Sequence, residues 1–206
     1  MSYAGPTTPG RPRAMTHTAL SRVALRLFRT GGFRATSVAD IATAAGIGRS
    51  TFFNYFGSKQ DIMWGCAERQ LAALELRLAA HDPEGDPFAL AGRTLVALAE
   101  EIEPEDADLT VDHSAVLRAE PELLEISRGY AERRAELLTG FLASRLPDTA
   151  ETLAHGAARA MTGAVEGAVL AFAGGGGRRR TLSEYIGETV LPVCTGFTMI
   201  DGRSVR

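Results

Sequence analysis

Cysteine is scarce in this sequence, and Cys66 and Cys194 lie too far apart in the chain to form a CxxC pair. A disulfide scaffold or a zinc site is therefore not expected, and both thiols are interpreted as small buried residues in a reducing compartment. No run reaches the ~18 uncharged apolar residues of a membrane-spanning helix, and no apolar signal region follows the first arginines. We expect a cytoplasmic protein without a membrane partner.

The sequence also lacks the motifs of common enzymes, since it contains no HExxH, GxSxG or CxxC. Residues 46–51 begin like the dinucleotide-binding GxGxxG, but the third glycine and a preceding strand are missing. A glycine run at 174–177 precedes three arginines without the GK[ST] ending of a P-loop. We therefore expect that the protein is not an enzyme and that it has no catalytic residue, metal or cofactor.

Charge is distributed unevenly along the chain. Residues 1–60 contain eight basic residues and one acidic residue, a net charge of +7, whereas the remainder contains 14 basic and 24 acidic residues. A basic module joined to an acidic body is typical of a protein that binds the phosphate backbone of a nucleic acid through one end.

The stretch from Thr36 to Asp61 predicts two short helices joined by a glycine turn. Ser37 and the acid three residues later form a capping box, and an apolar residue then recurs at helical spacing. Gly46 is expected to end this helix, and a second helix is predicted from about Gly48 to Phe56. A helix, a short turn and a second helix make a helix-turn-helix, whose second helix enters the DNA major groove.

Two segments precede this motif. Residues 1–13 are rich in proline and glycine and are predicted to be a disordered basic tail, in which Arg11 and Arg13 either contact DNA or belong to a passive extension. A first helix is predicted from about Thr16 to Thr30, where apolar residues follow the helical period. With the helix-turn-helix it completes a three-helix DNA-binding domain over 14–58.

The segment AAGIGRSTFFNYFGSKQDI resembles the DNA-binding signature of the TetR (tetracycline-repressor-like) family, usually AGVSxGTLYxYFxSKExL. The sequence departs from that signature at Gly48, Ser50 and Phe53, and the last of these lacks the tyrosine hydroxyl that usually contacts a phosphate. The matching positions are Gly46, Thr51, Tyr55, Phe56, Ser58 and Lys59. The segment SKQDIMWG is similar to the mycofactocin-associated branch of the family, which implies acyl-CoA effectors.

Helical periodicity assigns the sides of the recognition helix. Phe52 and Phe56 face the core of the module, and Arg49, Ser50, Phe53 and Asn54 face the groove. Arg49, Phe53 and Asn54 are candidates for contacts with guanine, a thymine methyl group and adenine, the alternative being that some of Ser50, Phe53 and Asn54 only face solvent. Other polar residues are placed for phosphates. The complete set of residues predicted to contact DNA is Thr36, Ser37, Arg49, Ser50, Thr51, Phe53, Asn54, Tyr55 and Lys59.

Residues 59–206 are predicted to form a helical bundle that dimerises and binds a ligand, so the fold class is all-α. A long helix from Ser58 to about Ala80 connects the two parts. Further helices are predicted at 87–103, 106–119, 121–146, 148–173 and 181–198. The last two carry small and apolar residues and are expected to form a two-fold, four-helix dimer interface, the alternative being packing within one subunit.

The bundle also contains candidates for a ligand cavity, each of which is alternatively a core or surface residue. His113 follows Asp112 without forming an acid/base pair, because adjacent helical residues point about 100° apart. Glu166 is the single acid of an apolar run. Its carboxylate could contact a ligand, the partner subunit or an arginine such as Arg159, and the sequence does not decide among these three. The candidate ligand residues are Trp64, His113, Leu117, Phe141 and Glu166.

The resemblance implies a homodimeric repressor that leaves a palindromic operator when a small molecule binds. The tilt of the helix near 59–80 would then change the separation of the two recognition helices. The alternative is a helical enzyme or binding protein for an anionic or CoA-type ligand, with the loop of Gly174–Gly177 and Arg178–Arg180 as the anion site.

Overall fold

The computed structural model describes residues 15–81, 84–102, 104–147, 150–175 and 180–200, so the predicted basic tail and most of the glycine-arginine loop lie outside the described residues. Over these ranges the chain is helical, without a strand, and the all-α prediction is confirmed. The helices are α1 His17–Gly31, α2 Val38–Ala44, α3 Arg49–Phe53, α4 Lys59–Ala79, α5 Pro87–Glu100, α6 Pro104–Ala119, α7 Pro121–Ala143, α8 Glu151–Gly174 and α9 Leu182–Ile200. Here α1–α3 are called the N-terminal module, and α5–α9 the C-terminal bundle.

Side-chain caps fix the starts of the helices that position the module. The Ser37 hydroxyl accepts a hydrogen bond from the Asp40 backbone N–H (3.1 Å), and the Asp40 carboxylate accepts one from the Ser37 N–H (2.8 Å). Ser58 and Asp61 form the same reciprocal box at α4. Both boxes were predicted, because each N-cap serine is followed three residues later by an acid. The hydrogen bonds from Ser37 lower the pKa of Asp40.

The N-terminal module does not have a core of its own. Its buried residues, among them Leu20, Ile41 and Phe52, form one cluster with Val116 of α6 and Leu123 of α7. The first turns of α4 contribute to the same cluster, and α1 packs against α6 within it. The module is therefore packed directly on the bundle, in addition to being connected to it through α4.

Polar contacts join the same two parts of the molecule. Arg29 of α1 forms an ion pair with Asp112 of α6, and Arg34 pairs with Glu122 of α7. The backbone N–H of Phe33 also donates to the Glu120 carboxylate (3.0 Å). Two of the eight basic residues counted in the N-terminal region therefore hold the module to the acidic bundle. Their positive charge is partly neutralised by the bundle carboxylates, which reduces the charge that could attract DNA.

Helices α5, α8 and α9 form the most closely packed part of the bundle. Gly92 of α5 lies against α9, so a Cβ atom at this position would stand 2.6 Å from the Sγ of Cys194 and 3.4 Å from Leu191. Burial raises the pKa of the Cys194 thiol to about 11, so the sulfur is an inert, neutral packing atom. Glycine is required here by the approach of the two helices.

Replacement of Gly92 with alanine is therefore expected to lower the free energy of unfolding by about 1–3 kcal/mol, because the added methyl group overpacks a buried contact. Gly129→Ala on α7 is the matched control, since a Cβ atom added there would have open space within 4 Å. That variant should gain roughly 0.5–1 kcal/mol from helix propensity. Urea unfolding monitored by circular dichroism measures both, and equal stability of the two variants would contradict the close packing.

Candidate DNA-binding surface and effector cavity

Helix α3 presents two different faces. Phe52 is completely buried and packs against Phe56, with 5.9 Å between ring centroids. Arg49 and Ser50 are exposed on the other side, and the Phe53 side chain is 45% exposed. The Arg49 guanidinium lies 5.8 Å from the centroid of the Phe53 ring. The predicted division of faces is therefore observed, although α3 ends at Phe53 instead of continuing to Phe56.

The turn before α3 depends on one glycine. Gly46 has a φ of 67°, in the left-handed region that other residues adopt at a steric cost. Its N–H donates to the Thr43 carbonyl (3.1 Å), and the N–H of Ile47 donates to that of Ala42 (3.0 Å). These bonds close the C-terminus of α2 and turn the chain into α3.

Two residues predicted to bind phosphates form hydrogen bonds within the module. The Thr36 hydroxyl is buried and donates to the Gly32 carbonyl (2.8 Å). The Lys59 ammonium donates to the carbonyls of Phe33 (2.7 Å) and Thr36 (2.9 Å). The Thr36 side chain is thus buried, and the donors of Lys59 are engaged by the loop between α1 and α2. The contacts of both residues with phosphates remain predictions.

Tyr55 and Ser37 are also engaged within the chain. The Tyr55 hydroxyl donates to the Met15 carbonyl (2.7 Å), and its ring packs edge-on against His17 at 5.1 Å. Ser37 is exposed at the N-terminus of α2, where its hydroxyl donates to Asp40. Thr51 is half-buried, and Asn54 is exposed just after α3. The contacts of these four residues with DNA remain predictions.

A cavity of about 280 Å³ lies between the module and the bundle. Its wall includes residues from the first two turns of α1 and the first turns of α4, so it reaches the DNA-binding module. Most of its wall is aliphatic. The principal apolar residues are Leu71, Leu74, Leu95, Leu98, Val165, Val169, Leu182 and Ile186.

His113 is the one predicted ligand residue that lines this cavity. Its Nε2 lies 2.7 Å from the Met63 carbonyl, which assigns the proton to Nε2 and leaves Nδ1 as an acceptor. Burial lowers the pKa of His113, so the ring is neutral at pH 7. Trp64 lies beside this pair, stacked on Tyr130 at 5.3 Å, and its buried Nε1 has no hydrogen-bond partner among the described residues.

Three other candidate ligand residues, Leu117, Phe141 and Glu166, do not line this cavity, and their contact with a ligand remains a prediction. Leu117 packs on the core of the N-terminal module. Phe141 lines a separate groove between α4 and α7 and stacks under the Arg145 guanidinium at 4.1 Å. Glu166 is exposed on α8, and Arg159 pairs with Glu132 instead.

Sequence reasoning missed Arg134, which lines the cavity from α7. A signal was present in the sequence, because Arg134 lies four residues after Tyr130 and four before Leu138. Both of these neighbours pack inward, so a charged residue between them occupies the inner stripe of the helix.

Residues 20–63 match the family model for "Bacterial regulatory proteins, tetR family". Over 66 residues the chain is 48% identical to a protein named as a mycofactocin biosynthesis transcriptional regulator, MftR, of Mycobacterium tuberculosis, covering 32% of this chain and 33% of that protein. It is 37% identical over 81 residues to the HTH-type transcriptional regulator AcrR of Shigella flexneri, covering 38% and 37%. The matches thus span about a third of these curated relatives.

Solved structures resemble the chain over most of its length. Thermus thermophilus FadR, a TetR family transcriptional repressor in complex with lauroyl-CoA, matches with a TM-score of 0.51 and 23% identity, over 93% of this chain and 96% of that one. A transcriptional regulator from Rhodococcus sp. Rha1 matches with a TM-score of 0.54 and 19% identity, over 90% and 97%. These likenesses establish the fold.

The N-terminal module therefore matches the tetR family of bacterial regulatory proteins over residues 20–63, and the chain shares the fold of its structural relatives over most of its length. The resemblance first seen at AAGIGRSTFFNYFGSKQDI is confirmed, and the match to MftR agrees with the narrower likeness at SKQDIMWG. The matched proteins are transcriptional regulators, so the alternative of a helical enzyme is not favoured. Within the described residues, no helix combines the length and apolarity needed to cross a lipid bilayer.

Proposed function

We propose that this protein is a cytoplasmic transcriptional repressor that binds a palindromic operator as a homodimer and releases it when a small effector occupies the cavity. The observation that carries the proposal is the two-faced α3, which buries Phe52 completely while Arg49, Ser50 and Phe53 project into solvent. The exposed ring of Phe53 (45%) lies beside Arg49 on this outer face, so an apolar and a cationic group are presented together. Such a face fits the major groove of DNA.

Each exposed side chain of α3 has a distinct partner on DNA. Arg49 would donate two hydrogen bonds to guanine, and Phe53 would contact a thymine methyl group. Asn54, at the end of the helix, would pair with adenine, while Ser50 and Thr51 would donate to phosphates. The side chains that read bases thus lie on the exposed face, and the engaged groups of Thr36, Lys59 and Tyr55 keep that face in position.

Replacement of Arg49 with alanine is expected to weaken operator binding at least tenfold, since each lost bidentate base contact costs about 1–3 kcal/mol. Gel shift with the DNA upstream of the protein's own gene measures the effect. Arg128→Ala on α7 is the matched control, because it removes an exposed arginine outside the N-terminal module. Equal binding by the Arg49 variant and the wild type would overturn the assignment of α3.

The dimer would form through the outer faces of α8 and α9, the helices predicted at about 148–173 and 181–198. On α8 this face includes Gly163 and Gly167, which have open space above them, and Leu170, which is 56% exposed. On α9 it includes Leu191 (40%) and Met199 (76%). Small residues between exposed apolar side chains allow two helix pairs to approach closely, which supports a four-helix interface.

The position of the cavity supports control by an effector. His17 lies in its wall and also packs edge-on against Tyr55 and Phe56, at 5.1 and 4.9 Å. A molecule that fills the cavity would therefore push on the residues directly behind α3, as well as on α4. The occupied state would change the spacing of the two recognition helices, which must match grooves ~34–36 Å apart.

The effector link can be tested by capture of genomic DNA on the purified protein, repeated with a panel of metabolites. Acyl-CoAs form one class in the panel, because the narrower likeness implies them and a protein of the same fold is solved with lauroyl-CoA. Release of captured operator by one metabolite class supports the proposal. Capture that no metabolite changes would leave DNA binding in place and defeat the effector mechanism.

A further inference from the structure

Arg134 places a half-buried guanidinium in the wall of a largely aliphatic cavity, whose other arginine, Arg69, is exposed. The side chain extends from α7 and is half-buried, and its neighbours in the wall include Val165 and Val169 of α8. Among the described residues, the guanidinium has no hydrogen bond and no carboxylate within ion-pair distance. A group with five N–H donors is thus presented to the cavity without an acceptor.

The electrostatic surroundings do not neutralise this charge. Burial lowers the pKa of Arg134, and the exposed carboxylate of Glu166 opposes that shift only as a more distant charge. Asp61, the acid in the cavity wall, is engaged at the start of α4 by the backbone N–H groups of Gly57 and Ser58. An anion inside the cavity would restore to Arg134 the interactions that water provides in the unfolded chain.

The size and lining of the cavity restrict the rest of the ligand. A volume of about 280 Å³ accommodates on the order of ten water-sized groups, because one such group takes about 30 Å³ in a liquid. The leucine and valine side chains of the wall favour a hydrocarbon chain. The CoA group of an acyl-CoA would have to extend outside this volume.

We infer that the effector is a monocarboxylate with a hydrocarbon chain of about eight carbons, whose carboxylate is held by Arg134. This inference rests on the proposed function of the cavity, and it names the chemical class that the cavity takes. The planar guanidinium donates two parallel N–H bonds to the two oxygens of a carboxylate. The aliphatic wall then covers the chain, while the neutral His113 stays bonded to Met63.

Binding can be measured without DNA through Trp64, the single tryptophan of the chain. Its ring is buried and packs edge-on against His113, a cavity residue, at 5.9 Å. Titrations of tryptophan fluorescence with octanoate, octanol and octanoyl-CoA, checked by calorimetry, compare the free acid with a neutral chain and a thioester. Octanoate is expected to bind more tightly than octanol by on the order of 10- to 100-fold.

The decisive variant is Arg134→Met, which keeps the length of the side chain and removes its charge. Octanoate affinity is expected to fall on the order of 10- to 100-fold and octanol affinity to stay the same. Thermal stability should be kept, because a half-buried charge without an ion-pair partner is replaced by an apolar group. Arg134→Lys should recover part of the octanoate affinity. Arg133→Met is the matched control, since Arg133 lines the groove on the other side of α7.

Several results would overturn the inference: unchanged octanoate affinity in Arg134→Met, equal binding of octanol and octanoate, or binding of octanoyl-CoA alone. Loss of octanoate affinity in Arg69→Met, with Arg134→Met unaffected, would move the anion site to the exposed Arg69. Gel shift with each variant separates this inference from the proposed function. Operator binding that persists while octanoate fails to bind would defeat the carboxylate ligand and leave the DNA-binding regulator standing.

Discussion

Replacement of Leu170 with glutamate is expected to convert the protein into a monomer and to reduce operator binding on the order of 10²- to 10⁴-fold. Leu170 is 56% exposed on the outer face of α8, in line with Gly163 and Gly167. A buried glutamate there would meet its own symmetry mate or the apolar side chains of the partner, without a cation to pair with. Loss of the second recognition helix removes the avidity of two linked half-sites.

Leu76→Glu is the matched control for this variant. Leu76 is also an exposed leucine, at 72%, but it lies on α4, away from the proposed interface. Analytical ultracentrifugation gives the mass of each variant, and gel shift gives its operator affinity. A dimer of unchanged stability in Leu170→Glu, or a monomer in both variants, would rule out the interface through α8 and α9.

Replacement of Phe52 with alanine is expected to lower the free energy of unfolding by about 3–5 kcal/mol. The ring is completely buried in the core shared with α6 and α7 and packs against Phe56, so its removal leaves a cavity there. A loss of this size corresponds to a fall in Tm of roughly 6–20 °C for a chain of this length. Differential scanning calorimetry measures it directly.

Replacement of the adjacent Phe53 is expected to affect operator affinity rather than stability. Phe53→Ala removes a ring that is 45% exposed, so the stability should change by no more than about 1 kcal/mol, mainly through the edge contact with Phe52 at 5.5 Å. Operator affinity should fall instead, because the ring faces the groove. A stability loss in Phe53→Ala as large as that in Phe52→Ala would show that the two faces of α3 are assigned the wrong way round.

Local sequence signals predicted the helices and their starts well. Each capping box, at Ser37 and at Ser58, needs only a hydroxyl residue and an acid three positions later, so the chain itself determines it. Gly46 ended α2 for a similarly local reason. The length of α3, in contrast, is determined by contacts with residues distant in sequence. The helix ends at Phe53, after which Tyr55 bonds to Met15 and Phe56 packs into the core.

Residues of the site were harder to predict where their partners are distant in sequence. The Lys59 ammonium bonds to carbonyls more than twenty residues earlier, and Arg29 pairs with Asp112. Nothing near either residue in the sequence indicates these partners. Arg134 was predictable in principle, since it interrupts an apolar stripe, but the shape of the cavity depends on the packing of seven helices.

The sharing of one core by α1–α3, α6 and α7 has a consequence for engineering. Consider a hybrid regulator in which the chain is cut at the start of α4 and joined to a foreign effector domain. The transplanted N-terminal module would then lose Val116 and Leu123 from its core. It would also leave Arg29 and Arg34 without their carboxylates. The unit that can be transplanted is therefore discontinuous in sequence, and a successful graft has to carry the matching surface of α6 and the first turn of α7 along with the helix-turn-helix.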